Sequence, residues 1–160
     1  MRAFLPRIRQ FLHGRLMGLV RIYYKNLWGM SLGEGVRISL SAKMDKTYPE
    51  GLFIGDYTAV AFGATILTHD IATLKRVRTT IGSHCLIGAR SIILPGVTIG
   101  DHCVIGAGSV VMTNIAPHSL AVGNPARVIE RGINTTIFGI RQEAYDLRFE
   151  EAQRRKAASA

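Results

Sequence analysis

The sequence predicts an all-β chain wound into a parallel β-helix, and three observations predict it. Apolar β-branched residues recur every six positions, at Ile54, Val60 and Ile66 and again at Ile81, Ile87, Ile93, Ile99, Ile105 and Val111. Four residues after most of them stands a short side chain: Thr58, Ala64, Cys85, Ser91, Val97, Cys103 and Ser109. The runs Ile81–Ala89 and Ile99–Ala107 are near copies eighteen residues apart, with Gly82, Cys85 and Gly88 echoed by Gly100, Cys103 and Gly106. A period of six fits neither the 3.6 of an α-helix nor the simple alternation of an isolated strand. It fits one short strand plus one corner, and three such units close a triangular coil.

Stacked coils pair backbone with backbone at about 4.8 Å per layer. The Ile/Val column and the short column both point inward, the short one near corners where a large side chain would not fit. Glycine one place after the Ile/Val serves corners that need positive φ or close backbone approach. One coil cannot bury its own interior, so stability comes from neighbour on neighbour.

At 160 residues and 48% hydrophobic, the chain is sized for a single domain with a real core. No uncharged apolar run reaches eighteen residues, so no membrane span is expected. The net charge of +9 points to nucleic acid, an anionic membrane surface or a small anionic ligand. Cys85 and Cys103 fall in the inward column and read as core thiols. No Cys/His zinc spacing is present, and no metal is expected.

Residues 1–35 form the first division. Leu5, Ile8, Phe11, Leu12, Leu16, Leu19, Val20, Tyr23 and Leu27 keep helical spacing, which predicts a helix over about 4–27. Pro6 is tolerated in a first turn. Arg2, Arg7, Arg9, Arg15, Arg21 and Lys25 share this segment, and no acidic residue precedes Glu34. Arg15 and Arg21 interrupt the apolar runs, which argues against a signal peptide. Two readings stand. The helix packs its apolar face on the β-helix with its basic residues in solvent, or it approaches anionic lipid as a peripheral surface helix. No basic, aromatic-interleaved groove supports nucleic acid.

Residues 36–131 form the β-helix. Val36 lies in phase with Ile54, while Ala42 and Tyr48 hold the intervening places poorly. The first coil is therefore expected to be irregular, with Ile38, Leu40 and Met44 inside and a loop from Asp45 to Gly51. The repeat breaks again between Ile66 and Ile81, which predicts an external loop over 70–80 carrying Lys75, Arg76 and Arg78. Insertions at coil corners project without disturbing the stack and often carry function. His69, at the mouth of this loop, is the candidate catalytic residue, although a lone histidine is more often structural or merely exposed. Residues 132–160 read as a linker followed by a charged helix from Ile140 to Arg155.

The stretch Ile81–Gly108, with Ile93-Leu94-Pro95-Gly96-Val97-Thr98-Ile99-Gly100-Asp101 and Ala121-Val122-Gly123-Asn124-Pro125-Ala126-Arg127-Val128-Ile129, resembles the hexapeptide-repeat acyltransferases. The resemblance is to the sugar and xenobiotic O-acetyltransferase branch, of maltose, galactoside and nodulation-factor type, and covers about residues 54–131. It implies a left-handed β-helix, although parallel crossovers are normally right-handed. It implies acetyl-CoA as donor, a homotrimer with sites between subunits, and His69 as general base, since Thr68-His69-Asp70 precedes the loop as the family's base does. A base is needed because a sugar hydroxyl is a poor nucleophile at neutral pH, and imidazole, with a reference pKa near ~6.5, suits that task. Asp70 is one candidate to orient the ring.

By the same resemblance Ala89 and Ala107 line the pantetheine arm through their backbones, and Arg127 meets the nucleotide phosphates, a role that suits a guanidinium. Thr113 stands where the family often has a phosphate lysine, and Glu130 where it often has a second basic residue. Arg131 is then a candidate for the phosphate end. The expected function is O-acetyl transfer to a hydroxyl of a sugar or surface-polysaccharide precursor in the cytoplasm, with membrane proximity through residues 4–27. Alternatives are an antibiotic or other small hydroxyl acceptor, a non-catalytic scaffold, and a zinc carbonic anhydrase on the same β-helix, which would need three clustered histidines. His84 and His102 either line the intersubunit groove or face solvent.

Overall fold

A computed structural model of the chain describes residues 16–157. Very short strands line up as three parallel sheets that form the faces of a prism. The first face holds Ser31–Leu32, Leu52–Ile54, Thr79–Ile81 and Thr98–Ile99. The second holds Arg37–Ile38, Ala59–Val60, Leu86–Ile87, Val104–Ile105 and Ser119–Gly123. The third holds Lys43–Met44, Thr65–Ile66, Ile92–Ile93 and Val110–Val111. The chain passes from face to face through a first, a second and a third corner before beginning the next coil. Ala126–Arg131 then folds back antiparallel on Ser119–Gly123.

Both inward columns are where the six-residue period puts them. Ile54, Val60, Ile66, Ile81, Ile87, Ile93, Ile99, Ile105 and Val111 are buried, and so are Thr58, Ala64, Cys85, Ser91, Val97, Cys103 and Ser109. Burying each such aliphatic side chain contributes roughly 1.5–3 kcal/mol. The buried hydroxyls are bonded, Thr58 Oγ1 donating to the Gly82 carbonyl at 2.7 Å and Ser91 Oγ to that of Gly88 at 2.7 Å. The thiols donate to carbonyls one coil on, Cys85 to Gly100 and Cys103 to Ala116, both at 3.1 Å. The neighbouring Cys103 thiol and burial push the Cys85 thiol up, away from the reactive thiolate form.

The first coil starts earlier and in a different phase than expected. Leu32 pairs with Ile54, Ile38 with Val60 and Met44 with Ile66, so these three continue the Ile/Val column. Val36 and Ala42 are buried beside Thr58 and Ala64 in the short column, and Leu40 is exposed. Leu32 and Ile54 are twenty-two residues apart, four more than one coil, because Asp45–Gly51 inserts. Four is also the offset between the columns, so the insertion slides Val36 into false phase.

The corners divide the special backbone requirements. At the first corner Gly33, Gly55, Gly82 and Gly100 each lie against the coil above; a Cβ on Gly82 would come within 2.6 Å of the Asp101 amide nitrogen. Positive φ at that corner falls instead on Tyr57, His84, His102 and His118, with φ of 52° to 57°. Their rings stack, His84 on His102 at 5.0 Å and His102 on His118 at 4.8 Å. Residues 132–139, expected as a linker, strap this column down. The Ile133 and Thr135 carbonyls accept from His118 Nδ1 and His102 Nδ1, both at 3.0 Å, Thr135 Oγ1 donates to the His84 carbonyl, and the Phe138 amide donates to that of Tyr57. His84 and His102 thus neither face solvent freely nor stand near His69.

Residues 16–28 are helical with a π-helical turn at Tyr23–Leu27; the first half of the expected helix, 4–15, lies outside the described residues. Met17 and Tyr24 are buried and Trp28 packs on the core at the open end of the prism. Leu16, Leu19, Ile22 and Leu27 are exposed. The apolar stripe is wider than one face, so packing on the β-helix leaves a second apolar surface. Gln142–Ala157 forms a charged, exposed C-terminal helix. Among the described residues no helix is long and apolar enough to cross a membrane.

Candidate active site

The two insertions into the six-residue rhythm lie at the third corner, one coil apart, while higher in the stack the same corner is shortened by two residues, Ile115 following Val111 and pairing with Ile99. Asp45–Gly51 follows the first strand of the third face, and 67–78 follows the second. The larger insertion is pinned at its base. Thr68 Oγ1 donates to the Tyr48 carbonyl at 2.7 Å, Thr79 Oγ1 to that of Leu67 at 2.6 Å, and the Val77 amide to that of Thr68 at 2.8 Å. Beyond this base the chain makes a two-stranded antiparallel hairpin, His69–Asp70 against Lys75–Arg76.

His69 is oriented from the smaller insertion. Asp45, whose side chain is 3% exposed against 22% for His69, aims its carboxylate at the start of the hairpin. One oxygen accepts from the Thr68 amide at 2.9 Å, the His69 amide at 3.1 Å and the His69 ring through Nδ1; the other accepts from the Thr47 amide at 2.9 Å. Burial opposes the charge, but the Thr68 and Thr47 amides and the His69 ring outweigh it and hold the carboxyl at about 2. An ionised carboxylate only accepts, so the proton between them sits on Nδ1, and in the neutral ring Nε2 then carries the lone pair. That is the arrangement a general base requires.

Asp70, the sequence candidate for orienting the ring, does something else. Its oxygens accept from the Ala72 amide at 2.9 Å and the Thr73 hydroxyl at 2.7 Å, which folds the hairpin turn. Asp45 could not be found from the repeat because it lies twenty-four residues from His69 in an irregular coil. The available signal was geometric: an acidic residue starting an insertion at the same corner, one coil below.

A cavity of about 450 Å³ opens beside the ring, lined by Thr47, His69, Asp70, Ile71, Leu74, Lys75 and Arg76. The other candidate residues lie elsewhere on the prism. Ala89 and Ala107 stack at the second corner, where the Gly108 amide donates to the Ala89 carbonyl at 2.8 Å. Arg127 is exposed and pairs with Val122, next to the end of the strand that runs to that corner. Thr113 is exposed at the third corner, above the hairpin coil, and Arg131 pairs with Ser119 at the opposite end of its strand, by the first corner. One chain therefore gathers Ala89, Ala107 and Arg127 on one edge and His69 and Thr113 on another. Glu130 is taken by Arg141 in a two-pronged ion pair with both distances 2.7 Å. Among the described residues no three His, Cys, Asp or Glu side chains cluster as metal ligands.

Comparison with known proteins points the same way. The model of the hexapeptide repeat of succinyl-transferases matches residues 78–112. The protein YvoF of Bacillus subtilis (strain 168), which carries the name of an acetyltransferase, is 32% identical over 115 residues, 71% of this chain and 67% of its own length. A maltose O-acetyltransferase structure from Clostridium difficile 630 is 34% identical with a TM-score of 0.55, covering 68% of this chain and 72% of its own. A serine acetyltransferase structure from Neisseria gonorrhoeae is 27% identical with a TM-score of 0.57, covering 79% of this chain and 52% of its own.

Proposed function

The chain belongs to the hexapeptide-repeat acetyltransferases, left-handed parallel β-helix enzymes, and from that premise we propose that it moves acetyl from acetyl-CoA to a hydroxyl of a sugar or surface-polysaccharide precursor, with His69 as general base. The observation that carries the reading is the Asp45–His69 pair beside an open cavity. Nε2 takes the hydroxyl proton as the oxygen attacks the thioester carbonyl. The C–S bond breaks as the tetrahedral adduct collapses, and the imidazolium returns the proton to the departing thiolate. Asp45 stabilises the imidazolium in between and does not itself take the proton. Direct transfer leaves no role for a nucleophilic cysteine, in keeping with two buried thiols.

Ala89 and Ala107 would hold the pantetheine arm through their backbones, and Arg127, with Thr113 or Arg131, the phosphates. Because these residues and His69 stand on different edges, the reading calls for a second copy that presents its Ala89 edge to the His69 corner. Three copies arranged in a ring would make three such sites. The divisions 1–35, 36–131 and 132–160 then belong to one domain that assembles as a homotrimer, which light scattering would test. The exposed Leu16, Leu19, Ile22 and Leu27 beside a basic segment support peripheral contact with an anionic cytoplasmic membrane face. Loss of residues 1–27 that leaves vesicle binding unchanged would remove that part.

The deciding experiment assays acetyl-CoA with a panel of sugars, nucleotide sugars and oligosaccharides, His69→Ala beside the wild type. Transfer that falls by about 10²- to 10⁴-fold in the variant, with acetyl-CoA binding retained, is expected. Transfer that survives the change removes His69 as the base. Failure of the wild type to bind acetyl-CoA at all removes the reaction.

A further inference from the structure

We propose that the hydroxyl acceptor carries a negatively charged oxyanion group close to the reacting hydroxyl, and that Arg76 recognises it. This rests on the acyl-transfer reading and adds the substrate's charge to it. Arg76 is directly opposite His69 across the hairpin, and Lys75 opposite Asp70. Directly opposed residues of an antiparallel pair project on the same side, with Cβ atoms about 4.5–5.5 Å apart. The hairpin therefore builds a cation into the wall of the cavity beside the base.

The charges around this cavity are unevenly placed: Asp70 stands opposite Lys75, whose charge helps hold its carboxyl low, and Arg76 stands opposite His69 with no carboxylate across from it. Asp45 lies beneath the ring with both oxygens occupied. Asp70 spends both of its oxygens on the turn, on the Ala72 amide and the Thr73 hydroxyl. Among the described residues neither Lys75 nor Arg76 has a carboxylate within ion-pairing distance, whereas Arg141 and Arg154 do. Arg78, nearby in sequence, lies instead over the Phe53 ring at 3.8 Å. At the hairpin tip Ile71 and Leu74, 76% and 88% exposed, form an apolar lip against which the C–H face of a sugar ring could lie.

The coenzyme does not account for the Arg76 cation. Its thioester must reach His69, and the pantetheine arm then holds its phosphates an arm's length away. A neutral acceptor does not account for it either, since it would leave the Arg76 cation unanswered at the point of chemistry. A guanidinium offers paired donors that match a carboxylate or a phosphate. Both sources share that chemistry, and the acceptor arms separate them.

The test compares kcat/KM for methyl glucoside, glucuronate and glucose 6-phosphate at low ionic strength. The wild type should favour an anionic member over the neutral one by about 10- to 100-fold, and the favoured member identifies carboxylate or phosphate. Arg76→Gln should bring that ratio to about one, Arg76→Lys should restore part of it, and the distant exposed Arg148→Gln should leave it alone. Binding is read independently from the His69 ring resonances in the apo protein titrated with inorganic phosphate and glucuronate. An Arg76-dependent shift is expected with at least one. Equal rates for neutral and anionic acceptors, or a preference that survives Arg76→Gln, overturn the inference and leave the acyl-transfer reading standing. So does an Arg76→Gln effect confined to the KM of acetyl-CoA. If none of these sugars is acetylated, the resonances decide, and their indifference to both anions overturns it.

Discussion

The coils from Thr79 to Gly123 and the third corner of the two coils beneath them are built from the same repeat and behave as opposites. From Thr79 to Val111 each six-residue unit supplies one inward aliphatic and one inward short residue with no insertion at any corner, and the last coil is two residues shorter still. At the third corner below, two insertions interrupt the rhythm in successive coils, and Asp45 from one meets His69 from the other. A stack of identical layers has no reason to aim a carboxylate at an imidazole. The interruption provides the freedom to do so, while the neighbouring layers hold both insertions at their bases. Regularity carries the stability and its failure carries the chemistry.

Two substitutions should pull these apart. Asp45→Asn keeps the shape but offers the ring a group that can also donate, so the tautomer is no longer dictated. Activity should fall by about 10²- to 10⁴-fold, measured as kcat with acetyl-CoA saturating, and the fold should be retained by circular dichroism. A variant within a few-fold of wild type would mean that the corner does not depend on this pair. Gly82→Ala is the reverse case. Its Cβ would press on the Asp101 amide and the Gly100 carbonyl carbon, forcing adjacent coils apart in the regular region. Urea unfolding should show a loss of about 2–4 kcal/mol, with kcat of the folded protein close to wild type. A large loss of kcat without a loss of stability would show that the two regions are not separable.

The same contrast explains what was legible in the sequence. From Ile81 to Val111 the inward columns, the coil length and the buried thiols follow from spacing alone, because each layer repeats the constraints of the last. Val36 and Leu40 were misplaced because a four-residue excess mimics the step between columns. The histidines of the first corner looked like surface residues, since spacing says nothing of the strap from Ile133 to Phe138 that covers them. His69 was visible as a break in rhythm. Its partner was not, because adjacency in sequence favoured Asp70 whereas the stacking of coils brings Asp45, twenty-four residues away, beneath the ring.

The smallest effect sharpens the comparison most, because it gives the catalytic corner its own share of stability. The Asp45 carboxyl lies at about 2 in the folded chain, against an ordinary value of 3.8. A depressed carboxyl means that the unfolded chain binds the proton more readily. The stabilisation is therefore fully present above pH ~4 and is lost as pH falls through about 2, and a shift of this size amounts to about 2 kcal/mol. Asp70 and Glu130 are also held low, by the Thr73 hydroxyl and by Arg141 respectively, but both are open to solvent and screened, so they add a shallow background. Chemical denaturation of wild type and Asp45→Asn between pH 5 and ~2 isolates the buried term. The wild type should lose about 2 kcal/mol more than the variant across that range. Parallel curves would mean that the buried amides and imidazole hold Asp45 no more tightly than water does, and the corner would then owe its geometry to the surrounding coils alone.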